Sequence, residues 1–128
     1  MMKKLSKFDG KYFRRVMNLS LKPEFIQVIT TTDSKENAEK IAKTLLELRL
    51  AGCVQIIGPI NSHYWWEGKI ETSQEYLCLI KTKNEVYKKV EDAIKRVHKY
   101  SVPEIIACSI SYGSQDYLDW LKKEVKKE

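Results

Sequence analysis

Residues 53–81 read as one long hairpin with apolar side chains on both faces, a pattern that an isolated one-sided sheet does not accommodate. The first arm covers 53–57, bends or bulges at Gly58-Pro59 and resumes through 62–66; proline cannot donate to a ladder, so the interruption belongs there. Glu67-Gly68 is the turn dipeptide, and 69–81 is the returning arm, irregular at Ser73-Gln74-Glu75. Residues 76–80 (Tyr-Leu-Cys-Leu-Ile) are apolar at successive positions, which fits a central strand or one covered on its second face by another subunit. Tyr64, Trp65 and Trp66 stand beside the turn, too far out for one small core. Aromatic surface of that kind marks an interface, so the three side chains are expected to anchor an oligomer.

The rest of the chain supplies the partners of this hairpin. Residues 25–32 form a strand rich in Ile, Val and Thr. Asp33 with Glu36 is the expected N-cap and capping box of a first helix over 34–51, with Ala38, Ile41, Ala42, Leu45 and Leu48 on its apolar face and Gly52 as its stop. Asn84 is the expected cap of a second helix carrying Val86, Val90, Ala93, Ile94 and Val97, which His98-Lys99-Tyr100 and Pro103 end. A fourth strand over 104–112 follows, then a helix capped by Ser114 with Tyr117, Leu118, Trp120 and Leu121 buried. The order β-α-β-β-α-β predicts an α+β, ferredoxin-like domain with an extra C-terminal helix, both main helices lying on one face of an antiparallel sheet.

Charge places the domain boundary near Pro23. Seven Lys or Arg and one acid fall in residues 1–23, leaving sixteen bases and sixteen acids in 24–128. The pI of 9.2 therefore belongs to a basic extension that is flexible or serves targeting to an organelle, and the neutral domain gives no support to nucleic-acid binding. No apolar run approaches the roughly 20 residues of a membrane span. Cys53, Cys78 and Cys108 form no CxxC pair and read as three small buried hydrophobes in a reducing, cytoplasmic setting. No GxSxG, Walker or HExxH motif occurs, so no enzymatic constellation is expected.

Candidate ligand groups are few. His98 falls at a helix end, where the macrodipole favours its protonated form; as a neutral imidazole it would suit Cu or Zn, or else it caps the last carbonyls. Glu104 can add a carboxylate near it, and Tyr100 lies on the same segment. His63 in the hairpin can approach a site from a neighbouring subunit. Lys81 ends an apolar strand, where its ammonium meets an anion at a cleft edge or simply snorkels. Asp116 and Trp120 are expected to cap and pack the last helix.

Several blocks resemble the CutA family. They are Ile29-Thr30-Thr31, Leu50-Ala51-Gly52-Cys53, Ser62-His63-Tyr64-Trp65-Trp66-Glu67-Gly68-Lys69, Leu79-Ile80-Lys81-Thr82, His98-Lys99-Tyr100-Ser101-Val102-Pro103-Glu104-Ile105 and Asp116-Tyr117-Leu118-Asp119-Trp120-Leu121. The resemblance implies a tight homotrimer arranged like the PII signalling proteins, with clefts between subunits. It implies a response to divalent metal ions, including copper binding, with no obligatory cofactor and no reaction catalysed. The copper ligands proposed for bacterial members, a Cys ending the first strand and a His pair, fall here on Thr30 and on Val97-His98. The alternatives are a sensor that binds a small anionic metabolite in the inter-subunit clefts and a structural trimeric scaffold.

Overall fold

Period-two alternation of apolar residues sets the architecture from the first strand onward. In the computed structural model, which describes residues 22–126, β1 (Phe25–Thr32) buries Ile26, Val28, Thr30 and Thr32 on one side and leaves Gln27 and Ile29 partly exposed on the other. Residues 1–21 of the basic extension lie outside the described residues. β1 is followed by α1 (Lys35–Glu47), β2 (Cys53–Trp66), β3 (Lys69–Lys83), a 3-10 turn (Asn84–Val86), α2 (Tyr87–Val97), β4 (Ile105–Ser109) and α3 (Gln115–Glu124). The four strands make one antiparallel sheet in the order β2-β3-β1-β4, the arrangement expected of the split βαβ. The core lies between one face of that sheet and the helices: Val28, Cys78 and Ile80 from the strands meet Ala38, Ile41, Leu45, Val90 and Ile94.

Among the described residues, the other face is apolar as well and stays partly exposed. Ile29, Leu77 and Leu79 point there with Ile57 and Ile106, the last two about half exposed. Glu67 and Gly68 both take positive φ at the hairpin turn (50° and 78°), the backbone that a two-residue turn of right-handed twist requires. Opposite Gly58-Pro59 the register steps from Ile57↔Leu77 to Ile60↔Glu75. That one-residue bulge changes which residues of β2 face the open side, from Cys53, Gln55 and Ile57 to Ser62, Tyr64 and Trp66.

Helix ends differ from expectation in instructive ways. Ser34, not Asp33, caps α1, its Oγ accepting from Asn37 N–H at 3.1 Å. α1 stops at Glu47 rather than Ala51, because Arg49 turns left-handed (φ 59°) while Leu50 N–H donates to Leu45 O and Arg49 N–H to Leu46 O, a Schellman ending. Gly52 serves a different purpose: a Cβ there would meet Leu121 Cδ1 at 2.5 Å. Replacing Arg49 by Gly is expected to raise stability by about 1 kcal/mol in chemical denaturation, since only glycine holds left-handed backbone without a Cβ penalty; the exposed Arg49–Glu124 pair it removes offsets little.

Asn84 opens a 3-10 turn rather than capping α2. In α3 only Leu121 is fully buried, while the Tyr117 and Trp120 rings meet at 5.5 Å, tilted by 39°, and stay two-fifths exposed. Among the cysteines, only Cys78 is a buried hydrophobe; burial pushes its thiol up to about 11, whereas Cys108 is exposed on the edge strand.

Candidate functional site

On the open face, the distal hairpin and the segment after α2 enclose a cleft of about 720 Å³. The sheet contributes Thr31, Glu75, Ser62, Tyr64 and Trp66; the segment contributes Lys99, Tyr100, Val102 and Glu104. Buried polar groups set the position of that segment. Thr32 Oγ1 donates to Asn37 Oδ1 (2.5 Å), and Asn37 Nδ2 donates to Val97 O (3.0 Å), tying the end of α2 to β1 and α1.

His98 continues this network. Its Nε2 meets Thr31 O at 2.8 Å, and its Nδ1 accepts from Tyr100 N–H at 3.0 Å. A carbonyl accepts only from a protonated nitrogen, so His98 is the neutral Nε2–H tautomer with both ring nitrogens engaged. It stands behind the cleft and holds Tyr100 in place. The Tyr100 ring, 5.0 Å from the imidazole, reaches forward to donate from Oη to Glu75 Oε2 at 2.8 Å. Burial first, and then the bond to Glu75, push the Tyr100 phenol well above its usual range. It therefore remains a neutral donor throughout the working pH range.

Glu75 is the chemical centre of the cleft. It is only 6% exposed. Among the described residues Tyr100 is its hydrogen-bond partner, and no Lys, Arg or His pairs with it. A buried carboxylate is expensive unless a cation or several donors compensate it. The cleft thus presents one deep carboxyl group between aromatic walls, with Glu104 and Lys99 at its exposed mouth.

Several expected site residues fall elsewhere. Thr30 points into the core and is fully buried, because alternation gives the open face to its neighbour Thr31. Its Oγ1 has no hydrogen-bond partner among the described residues. Thr30→Val, which keeps the shape and removes the unpaired hydroxyl, is expected to stabilise the fold by about 1 kcal/mol in thermal or denaturant unfolding. Lys81 also lies away from the cleft. It pairs across β1 with Gln27, whereas Thr31 pairs with Leu77; four residues of strand separate the two positions by about 13 Å. The Lys81 ammonium donates to the Gln55 side chain. His63 touches the cleft, but its Nδ1 bonds Thr72 Oγ1 (2.9 Å) on the reverse face. Trp65 is turned to that reverse face with Ile70 and is 72% exposed. Among the described residues no three of His, Cys, Asp and Glu come together at metal-ligand spacing.

Glu75 and Thr31 were not among the residues singled out from sequence. The signal for Glu75 was an acid directly before the apolar run 76–80, opposite the bulge. No sequence signal distinguishes Thr31 from Thr30 until the face of β1 is known.

Comparison with known proteins agrees with this framework. Residues 26–124 match the family model described as CutA1 divalent ion tolerance protein. The divalent-cation tolerance protein CutA of Archaeoglobus fulgidus is 44% identical over 99 residues, 77% of this chain and 96% of that protein. A chloroplastic CutA protein of Arabidopsis thaliana is 36% identical over 124 residues, 94% of this chain and 68% of that one. The solved structure of a periplasmic divalent cation tolerance protein CutA from A. fulgidus superposes with a TM-score of 0.78 at 43% identity, covering 80% of this chain and 99% of the other.

Proposed function

Because the chain belongs to the CutA1 divalent ion tolerance family, we propose that it works as a homotrimer whose clefts hold a divalent cation, Cu(II) foremost, in a response to metal ions. The observation that carries this reading is Glu75: a carboxylate 6% exposed, at the back of a cleft, without a cationic partner among the described residues. One subunit supplies carboxylate oxygens from Glu75 and Glu104 but not a full set of metal donors. A second subunit must complete the coordination, and this makes assembly part of the site.

The assembly has its own support. The uncovered sheet face offers Ile57 and Ile106, and the hairpin tip offers Tyr64, Trp65 and Trp66, enough apolar area to stabilise a subunit interface. His98, with both nitrogens engaged, is assigned to positioning rather than to metal ligation. Lys81, committed to Gln55, gives the anionic-metabolite alternative no support. The chain is read as a binding protein rather than an enzyme.

No helix among the described residues is long and apolar enough to cross a membrane. We place the protein in the cytoplasm, where its free thiols stay reduced; cell fractionation checks this against the chloroplast and periplasm named for relatives. The metal reading is tested by titrating Cu(II) into the wild type and Glu75→Gln by calorimetry, with light scattering on both. The expected result is a trimer in each case and an affinity lower by about tenfold or more in the variant, the loss of one charge-assisted contact. Equal affinities would remove Glu75 from the site.

A further inference from the structure

The geometry points to a second class of ligand for the same cleft: a small organic ammonium ion, its nitrogen on Glu75 and its alkyl part against Tyr64, Trp66 and Tyr100. This inference rests on Glu75 being the cation anchor, as proposed above, and adds what kind of cation the walls select. A bare divalent ion has no use for aromatic rings. An alkylammonium does, because ring faces attract cations and the alkyl carbons bury against the same surface.

The donor arithmetic also favours it. A divalent metal needs several ligands, and among the described residues the necessary trio is missing from one subunit. An ammonium needs one carboxylate and a few neutral acceptors. Tyr100 Oη occupies Glu75 Oε2, leaving Oε1 to accept an N–H; Thr31 and Ser62, each with a hydroxyl, line the same cleft. Tyr100 donates from its only O–H to Glu75, so its ring face, not its hydroxyl proton, is what remains for a ligand. Among the described residues, Lys99 is the one Lys or Arg lining the cleft and is exposed at its mouth, so an ammonium seated on Glu75 meets no buried positive charge from them. A volume of about 720 Å³ is within the range of small-molecule sites.

The test titrates the full-length protein with n-butylammonium chloride, with n-butanol as the uncharged control, and separately with Cu(II). The proteins are the wild type, Glu75→Gln and Trp66→Leu, with circular dichroism and light scattering confirming that the variants fold and assemble. Saturable binding of n-butylammonium but not n-butanol by the wild type is expected. Glu75→Gln should weaken it by about tenfold or more, and Trp66→Leu by about three- to tenfold. Absence of saturable n-butylammonium binding, or equal binding of the two ligands by the wild type, overturns the inference even if Glu75→Gln fails to fold. Glu75-dependent Cu(II) binding without n-butylammonium binding sinks this inference alone. Glu75-dependent n-butylammonium binding without Cu(II) binding sinks only the metal reading.

Discussion

Replacing His98 by Ala is expected to cost about 2–3 kcal/mol of stability and to weaken cation binding in the cleft without removing a ligand. The imidazole satisfies Thr31 O with one nitrogen and Tyr100 N–H with the other. Losing it leaves two partly buried backbone groups short of partners, each worth about 1–3 kcal/mol before water reaches them. Tyr100 then loses its fixed backbone, and Glu75 loses the phenol that orients it. Denaturant unfolding gives the stability change and calorimetry the affinity. His98→Gln separates positioning from ligation: its amide N–H can meet the Thr31 carbonyl and its oxygen the Tyr100 N–H, so most of the lost stability and affinity should return. If Gln behaved like Ala in affinity while matching the wild type in stability, the imidazole itself would be a ligand.

The second large effect lies away from the cleft. Leu121→Ala should destabilise the protein by about 3 kcal/mol, because Leu121 is fully buried and its truncation leaves a cavity that the sheet cannot close. Gly52→Ala alone should also destabilise, by about 1–3 kcal/mol through overpacking, since the new methyl lands 2.5 Å from Leu121 Cδ1. The two changes should compensate when combined. The added methyl enters the space the leucine has left, and the double variant should be more stable than the sum of the single effects by about 1 kcal/mol or more. Strict additivity in denaturant unfolding would mean that α3 does not dock against Gly52.

The fold was legible in the sequence because its main signals are local and repeated. Alternation in β1, the Glu67-Gly68 turn and the apolar stripe of α2 each specify an element without reference to the rest. The bend at Gly58-Pro59 was legible too, but its consequence was not. A bulge of one residue reassigns every later side chain of β2, so Tyr64 and Trp66 line the cleft while Trp65 and the His63 ring belong to the reverse face. The end of α1 was hidden for a related reason: Arg49 adopts a backbone usually left to glycine, and Gly52, the residue that looked like a stop, is demanded by packing against Leu121.

The site was half legible. Tyr100, Glu104 and His63, named as candidate ligand groups, do line one cleft, and so do Tyr64 and Trp66, which were expected as interface anchors. His98 attracted attention as an imidazole at a helix end, and only the partners of its two nitrogens reveal it as a brace. Thr30 and Lys81 were misplaced because facing and register, not residue type, decide what reaches a cleft. Glu75 was read only as part of an irregular stretch, since its importance comes from burial without a cationic partner among the described residues, which a sequence does not display.

Whether Glu75 anchors the bound cation can be seen directly by anomalous diffraction at the copper edge from crystals of the full-length protein equilibrated with Cu(II). The expected result is a peak about 2 Å from a Glu75 carboxylate oxygen, the usual metal–carboxylate distance, in a cleft closed by a neighbouring subunit. A peak on the His98 imidazole with Glu75 bare, or clefts without a peak, would contradict the account.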